Sequence, residues 1–123
     1  MKKGPLFEAQ VVQCLIDAGH PYAERRLMGG SRDRGDVAGI SGVVIEIKNS
    51  PNYVNELSKW VDEALQESAN AGGVNASLWP PAAVWHKRRG KGDPKDCYVT
   101  MTGRHYLWLL AAYTQLIEDR KEA

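Results

Sequence analysis

The stretch GDVAGISGVVIEIKNS, residues 35–50, decides the fold. Its second half alternates in character, because side chains two apart along a strand point the same way. Glu46 and Lys48 fall on one side of the extended chain, and apolar residues fall on the other. A further acid, Asp36, stands a short loop upstream. The stretch therefore predicts a β-hairpin that brings two carboxylates and one amine together.

The loop of this hairpin sets its register. Residues 40–42, Ile-Ser-Gly, fit a three-residue loop in which a type I turn is followed by a left-handed residue. Glycine tolerates the positive φ of that last position. Counting outward pairs Gly39 with Val43. The same register places Asp36 opposite Glu46, with β-carbons about 5 Å apart, so we expect the two carboxylates to repel each other unless a cation lies between them.

A hard cation that prefers oxygen ligands suits this pair of acids. Mg²⁺ takes one or two carboxylates and completes its octahedron with water and substrate phosphate, and the sequence has no His/Cys cluster that would favour zinc. Lys48 would lie on the same face as Glu46, about 7 Å along the strand, where it can hold a water or stabilise charge on a phosphate. Such a set predicts phosphodiester hydrolysis. The alternative is a solvent-facing ladder on an edge strand, with Asp36 an ordinary turn acid.

Composition predicts one folded domain over residues 1–123. The hydrophobic fraction of 43% and the charged fraction of 25% are ordinary for a soluble protein. No segment approaches the roughly 18 continuous apolar residues of a membrane span, and the N-terminus lacks the apolar run of a signal peptide. We therefore expect no membrane partner and a cytoplasmic location.

The distribution of charge says more about partners than the net charge of +1. Basic residues dominate residues 20–34 and 86–95, whereas the acids collect on the predicted helices. One face of such a molecule can bind a polyanion while the whole stays near neutral. The alternative is solvated charge scattered on loops. The predicted DNA contacts are Arg25, Arg26, Arg32, Arg34, His86, Lys87, Arg88, Arg89 and Lys91.

The rest of the chain alternates between helical and extended patterns. Helical periodicity covers residues 5–18, 53–69 and about 103–119, and extended patterns cover 22–28, 36–39, 43–48, 82–88 and 97–101. The last helix is expected to turn Tyr106 and Tyr113 inward. The order helix, three strands, helix, two strands, helix (αβββαββα) predicts an α/β fold, a mixed sheet of about five strands flanked by helices.

These features resemble the PD-(D/E)XK nuclease superfamily. Residues 35–36, Gly-Asp, are followed after nine residues by residues 46–48, Glu-Ile-Lys, with Gly35 in place of the superfamily's frequent proline. The ordered context spans nearly the whole chain, from a first helix with Glu8 to a strand that ends in VWHKRRG. It is most similar to small resolvase-type members, such as archaeal Holliday junction resolvases and the small nucleases of bacteriophages.

The resemblance implies a restriction-endonuclease-like fold and a Mg²⁺-dependent endonuclease, with Mn²⁺ able to substitute. It implies that Asp36, Glu46 and the backbone carbonyl of Ile47 ligate the metal, and that Lys48 orients or activates the attacking water. Glu8 would bind the metal directly or through water. The alternative for Glu8 is an ordinary acid in the first turn of a helix, where the helix dipole favours it.

The substrate that the resemblance implies is branched DNA, above all the Holliday junction of recombination and repair. A homodimer is implied because two nicks must be placed across a four-way junction, and the location would be a host cytoplasm if the gene is phage-encoded. One alternative is a nickase, flap nuclease or repair nuclease with the same chemistry. Another is a DNA-binding module without catalysis. A role for Gln66, late in the second helix, stays open.

Overall fold

The computed structural model of this protein describes residues 4–26, 35–75 and 78–122. In these ranges the chain forms three α-helices and five strands. Their bounds are α1 Gly4–Asp17, β1 Glu24–Arg25, β2 Val37–Ala38, β3 Val44–Lys48, α2 Leu57–Gly72, β4 Ala82–His86, β5 Tyr98–Thr100 and α3 Gly103–Glu122. The order of helices and strands along the chain is the order that the sequence predicts.

Helix α1 turns one apolar stripe toward the strands. Phe7 and Val11, one helical turn apart, are 2% and 0% exposed. They belong to one core cluster with Ile45 and Ile47 of β3 and Val37 of β2. Burial of an apolar side chain of this size contributes roughly 1.5–3 kcal/mol. This packing fixes which face of β3 carries the isoleucines.

The five strands lie in two sheets, although the sequence predicts one. Strand β1 pairs antiparallel with β2, with Arg25 opposite Val37. In the other sheet β3 runs parallel to β4, with Lys48 opposite His86, and β5 runs antiparallel to β4. That sheet is mixed, and its parallel pair is connected through α2, since parallel strands need a long crossover. The coarser prediction of a mixed α/β fold is confirmed.

The predicted hairpin ladder between residues 36–39 and 43–48 is wrong. Gly42 has the expected positive φ of 86°, but Gly39 also has a positive φ, of 85°. A β-carbon on Gly39 would overlap the carbonyl oxygen of Tyr22. The chain therefore packs against the segment before β1, and β2 pairs with β1 instead of β3.

Helix α2 covers the face of β3 that points away from α1. Trp60 and Ala64, again one turn apart, pack against Val44 in a second core cluster. Ser68 continues this buried stripe, and its hydroxyl donates a hydrogen bond of 2.5 Å to the carbonyl of Pro80. Because neighbouring strand residues face opposite sides, the acid and the amine of β3 point toward α2. This division of β3 between two faces is the one that its alternation predicts.

Helix α3 leaves most of its surface exposed. His105, in its first turn, is buried, and its Nδ1 accepts a hydrogen bond of 3.0 Å from the backbone N–H of Ala82. Tyr106 and Tyr113 are 56% and 60% exposed, so the prediction that they face inward is wrong. Further large apolar residues exposed on this helix are Leu107, Trp108, Leu110 and Leu116. Neither α3 nor another helix of the described ranges is long and apolar enough to cross a membrane.

Candidate functional site

Asp36 is attached to the middle of β3 by two hydrogen bonds. Its backbone N–H donates to the carbonyl of Ile45 at 2.8 Å, and its Oδ2 accepts from the N–H of Ile47 at 2.6 Å. Its own carbonyl accepts a hydrogen bond of 2.7 Å from the N–H of Arg26. Asp36 therefore lies beside Glu46, as the sequence predicts. The contact arises from one backbone–backbone hydrogen bond and one hydrogen bond between backbone and side chain, and not from the predicted strand ladder.

Gly35 determines how closely the chain approaches β3. Its φ is 100°, and a β-carbon there would lie 3.0 Å from Cγ1 of Val44 and 3.1 Å from the carbonyl oxygen of Ile45. Proline holds φ near −65°. The proline that is frequent in the resembling superfamily therefore does not fit this backbone. Glycine is the residue that lets Asp36 reach β3 here.

Glu46 is a deeply buried acid of the site, with 7% of its surface exposed. Its Oε2 is buried and receives no hydrogen bond from the described residues. The carboxyl groups of Asp36 and Glu67 lie within hydrogen-bonding reach of the Glu46 carboxyl group as a whole. Two ionised carboxylates cannot donate to each other, so this arrangement requires either a shared proton or a cation.

The surroundings of these acids favour their protonated forms. Burial, followed by the neighbouring Glu67 carboxyl, raises the pKa of Glu46 to about 8. Burial also raises the pKa of Asp36 to about 7, although the hydrogen bond from Ile47 opposes that shift. Near pH 7 the metal-free pair therefore retains protons. A divalent cation is the other source of positive charge that this position can use.

Lys48 lies between two acids. Its Nζ is 2.9 Å from Oε2 of Glu63 and 3.7 Å from Oε1 of Glu46. Burial alone would lower the pKa of Lys48, but the hydrogen bond to Glu63 and the charge of Glu46 raise it above its ordinary value. The amine is therefore a positive charge, held on the same face as Glu46 as the sequence predicts. Its side chain is 25% exposed, which leaves access from solvent.

Glu67 is a site residue that the sequence reasoning missed. It is 6% exposed and follows Trp60 and Ala64 on the buried stripe of α2. The signal was available, because helical spacing carries that stripe on to residue 67, and an acid there is unusual. Gln66, which the sequence left open, is exposed, and its Nε2 donates to Oδ1 of Asn70 at 3.1 Å. Glu67, like Glu63, is thus a polar residue of α2 next to the site, and Gln66 is not.

The backbone carbonyl of Ile47 faces the same edge of β3 as Asp36. The carbonyl of Lys48 accepts a hydrogen bond from the N–H of Lys87, beyond the end of β4. The carbonyl of Ile45 and the N–H of Ile47 instead bond to Asp36. Backbone groups of adjacent residues point to opposite edges of a strand and those of every second residue point to the same edge, so the Ile47 carbonyl has the orientation that a ligand beside Asp36 needs.

Glu8 lies on the Asp36 side of the site but is paired with an arginine. Its Oε2 is 3.0 Å from both Nε and Nη2 of Arg25. The charge of Glu8 contributes to the raised pKa of Asp36, after burial and the effect of Glu46. Direct or water-mediated metal binding by Glu8 stays a prediction.

The carboxylate oxygens of the site are ligands of the kind that a hard divalent cation prefers. Among the described residues, no group of three or more His, Cys, Asp or Glu side chains is arranged to hold a metal. Mg²⁺ commonly binds one or two carboxylates and keeps several waters. The site offers the carboxyl groups of Asp36 and Glu46, whose pKa values are raised, and one backbone carbonyl. Oε2 of Glu46 is buried without a donor among the described residues. This set of oxygens suits the coordination that Mg²⁺ prefers. The residues that would hold the ion are Asp36, Glu46 and Ile47.

Two of the predicted DNA contacts on β4 and just after it lie away from the acids or inside the core. His86 is 1% exposed, and its Nε2 is 2.8 Å from Oγ1 of Thr100, so the prediction that His86 contacts DNA is wrong. Burial lowers its pKa. Lys87 points to the α1 face, where its Nζ lies 5.4 Å from the ring centroid of Phe7. Strand alternation thus separates Lys87 from Glu46.

Arg88 and Arg89 border a cleft of about 590 Å³ at the carboxyl ends of β3 and β4. The opposite wall is formed by residues 51–55, and Tyr98 of β5 completes the lining. Lys91 is exposed in the turn that follows. Basic residues at this end of the sheet therefore remain available to a polyanion.

The remaining predicted contacts lie near the first sheet. The side chain of Arg25 is 45% exposed although it is paired with Glu8. Arg26 is exposed, and its Nη2 is 3.5 Å from the carbonyl of Val37. Arg32 and Arg34 lie outside the described residues. DNA binding by these arginines stays a prediction.

Comparison with known proteins found no matching family model, no matching curated protein and no matching solved structure. The interpretation of the site therefore depends on its own geometry.

Proposed function

We propose that this protein is a Mg²⁺-dependent endonuclease that hydrolyses phosphodiester bonds in branched DNA, with the Holliday junction as the first substrate to test. One observation carries the proposal: the buried Glu46, whose Oε2 has no hydrogen-bond donor among the described residues, stands beside Asp36 and within 3.7 Å of Lys48. A protein that only needed a stable sheet would gain nothing from opposing buried acids. The order of elements αβββαββα supports a restriction-endonuclease-like arrangement as part of this proposal.

The chain's own residues divide the work as follows. Asp36 and Glu46, once deprotonated, would hold the ion together with the carbonyl of Ile47. When bound, Mg²⁺ supplies Lewis acidity at a phosphate oxygen and lowers the pKa of a water. Lys48 keeps its positive charge because Glu63 and Glu46 flank it, and it orients the attacking water or stabilises the charge that develops on phosphate.

The basic end of the sheet supports DNA as the substrate. Arg88 and Arg89 lie two and three residues after β4, and β4 is the parallel neighbour of β3, which carries Glu46. Guanidinium groups bind phosphate well because their fork of donors matches its oxygens. DNA held at this edge passes Glu46 and Asp36, and its binding should weaken steeply with salt. A cytoplasmic location, that of a host cell if the gene is phage-encoded, is part of the same proposal.

A homodimer belongs to the same proposal, because paired nicks require two sites. Helix α3 supports it, since Trp108, Leu110 and Tyr113 are 50%, 40% and 60% exposed on a helix that touches the rest of the protein chiefly through its first turn. Apolar surface of this kind commonly marks a protein interface. Sedimentation analysis should give twice the 13.6 kDa of one chain. A monomer at micromolar concentration would contradict the dimer and leave the chemistry standing.

A substrate panel tests the function. Purified protein is incubated with Mg²⁺ and end-labelled four-way junction, flap, nicked duplex and linear duplex, and the products are separated on denaturing gels. We expect paired nicks in the junction and little cutting of linear duplex. Asp36→Asn should abolish cutting, whereas Asp62→Asn, an exposed acid of α2, should leave it unchanged. Equal cutting by wild type and Asp36→Asn would refute the assignment.

The panel also separates the alternatives. Preferred cutting of flaps or nicked duplex would indicate a related nuclease with another substrate. Binding of junctions without cutting, and without dependence on Mg²⁺, would indicate a DNA-binding module. The adjacent acids Asp36 and Glu46 favour the nuclease over that module, because binding of a polyanion does not profit from them.

A further inference from the structure

The cleft at the carboxyl ends of β3 and β4 lies next to the proposed reaction site. The loop that forms one wall begins three residues after Lys48. On the neighbouring strand Lys48 is paired with His86, whose ring lies 4.9 Å from the ring of Tyr53 in the cleft wall. Ligands of α/β proteins commonly bind beyond the carboxyl ends of parallel strands. A strand of DNA whose phosphate reaches Lys48 therefore passes the cleft.

The cleft combines an aromatic surface with two guanidinium groups. The guanidinium carbon of Arg88 lies 4.7 Å from the ring centroid of Tyr98, which is 41% exposed. Tyr53 stands perpendicular to Tyr98, with 6.2 Å between ring centroids. Across the cleft, Nη2 of Arg89 donates a hydrogen bond of 2.5 Å to Oδ1 of Asn52. One concavity is thus lined by an exposed tyrosine, two arginines and an asparagine.

This set of groups matches the parts of a nucleotide. Unstacked bases bind to aromatic side chains and to the planes of arginine guanidinium groups, and amides hydrogen-bond to base edges. Arginine also binds phosphate through paired hydrogen bonds. A volume of about 590 Å³ is in the range of small-molecule sites and too small for a duplex. The cleft thus suits one nucleotide at a time.

We propose that this cleft binds a single unstacked nucleotide of the DNA strand beside the cleaved phosphate, with the base against the Tyr98–Arg88 pair and a phosphate against Arg89. The inference rests on the proposed function and specifies its substrate class, which is DNA with unpaired or easily unpaired nucleotides. Extruding a nucleotide from continuous duplex costs free energy, and the cost is least where the base is already unpaired. The cleft is then the source of selectivity for branched over linear DNA.

The test uses 2-aminopurine, a base whose fluorescence rises when it leaves the stack. One residue of the label is placed at successive positions around the branch of a four-way junction, and at the same positions of a linear duplex. Full-length protein is added in EDTA, so that no cleavage occurs, and affinity is measured in parallel by fluorescence anisotropy. We expect a fluorescence change at one branch position and none in the duplex.

Variants connect that signal to the cleft. Tyr98→Ala should abolish the change and weaken junction binding about tenfold, in the range reported for loss of one stacked base. Arg89→Ala should weaken junction binding and reduce its salt dependence. Because Arg89 lies outside β5, this second variant tests the cleft even if Tyr98→Ala disturbs the folding of β5. Tyr22→Ala is the matched control, because Tyr22 is 82% exposed and lies outside the cleft. Equal behaviour of all three variants and wild type would overturn the inference.

The outcomes separate this inference from the proposed function. If Tyr98→Ala and Arg89→Ala leave cleavage unchanged, the nucleotide-binding role of the cleft is refuted and the nuclease assignment stands. If the 2-aminopurine fluorescence at the branch depends on Tyr98 but Mg²⁺ gives no cleavage, the nucleotide-binding role of the cleft stands and the nuclease assignment is refuted. If the protein binds no DNA at all, both hypotheses are refuted.

Discussion

The substitution Glu46→Gln tests the electrostatics of the buried acids in isolation from catalysis. Glutamine has the shape of glutamate and carries no charge, and its amide can donate to the carboxyl groups of Asp36 and Glu67 that lie within reach of residue 46. The variant should therefore be more stable than the wild type in the absence of metal at alkaline pH. It should at the same time lose its stabilisation by Mg²⁺ and its cleavage activity.

The size of the effect follows from the pKa of Glu46. Because that pKa is raised in the folded protein, from 4.5 to about 8, the stability that the protonated acid contributes is complete below pH 4.5 and is lost as the pH rises through 8. A shift of this size corresponds to an upper limit of about 5 kcal/mol. Sharing of protons among neighbouring carboxyls reduces it, and we expect a gain of roughly 1–3 kcal/mol for the variant at pH 8.5.

Thermal unfolding in EDTA at pH 5 and at pH 8.5 measures the effect. For a chain of 123 residues, a gain of 1–3 kcal/mol raises Tm by roughly 4–12 °C. The difference between variant and wild type should be much smaller at pH 5, because Glu46 is protonated in the folded chain there and pH 5 lies only about half a unit above its pKa of 4.5 in the unfolded chain. Glu56→Gln is the control, because Glu56 is exposed and its side chain makes no capping hydrogen bond.

Two results would refute this reasoning. One is a variant that is less stable than the wild type at pH 8.5, which would mean that the carboxylate of Glu46 already has a stabilising partner. The other is a variant whose Tm rises with Mg²⁺ as much as that of the wild type, which would place the ion elsewhere.

Three further predictions follow from the site. Lys48→Met should slow single-turnover cleavage by about 100-fold or more while junction binding in EDTA changes far less, and an equal loss of both would argue against a role in the chemical step. Cleavage rates in Mg²⁺ should rise between pH 6 and about pH 9 and then level off, since Asp36 and Glu46, with pKa values of about 7 and 8, must lose their protons to hold the ion; a flat profile would contradict this. Gly35→Ala should lower Tm more than Gly42→Ala does, because both glycines have positive φ but only the first would bring a β-carbon to within 3.0 Å of a neighbour; equal losses in unfolding experiments would show that the close approach to β3 has no energetic consequence.

The placement of Glu46 and Lys48 on one face of β3 could be predicted because it depends on local geometry. The alternation from Val44 to Lys48 specifies two faces in any strand conformation, and the buried clusters on either side agree with it. The proximity of Asp36 to Glu46 was also predicted. Its mechanism was not, since it depends on the packing of Gly39 against Tyr22, a contact between segments 17 residues apart that no local pattern encodes.

Glu67 and His86 show a different limit of sequence reasoning. Both are polar residues that a hydropathy argument assigns to the surface, and both are buried. His86 is enclosed by aromatic rings, with Tyr53 and Trp60 at 4.9 and 6.0 Å between centroids. The parallel pairing of β3 with β4 places these elements together, and the order of strands in a sheet does not follow from the sequence of a single chain.

The central claim is that Asp36 and Glu46 jointly bind a divalent cation, and calorimetric titration of the protein with Mn²⁺ and then Mg²⁺ at pH 7.5 tests it most directly. Repeating the titration in buffers with different ionisation enthalpies counts the protons released. We expect binding that is accompanied by proton release in the wild type and is lost in Asp36→Asn and in Glu46→Gln. Binding of equal strength in wild type and both variants, or none at millimolar metal, would contradict the account.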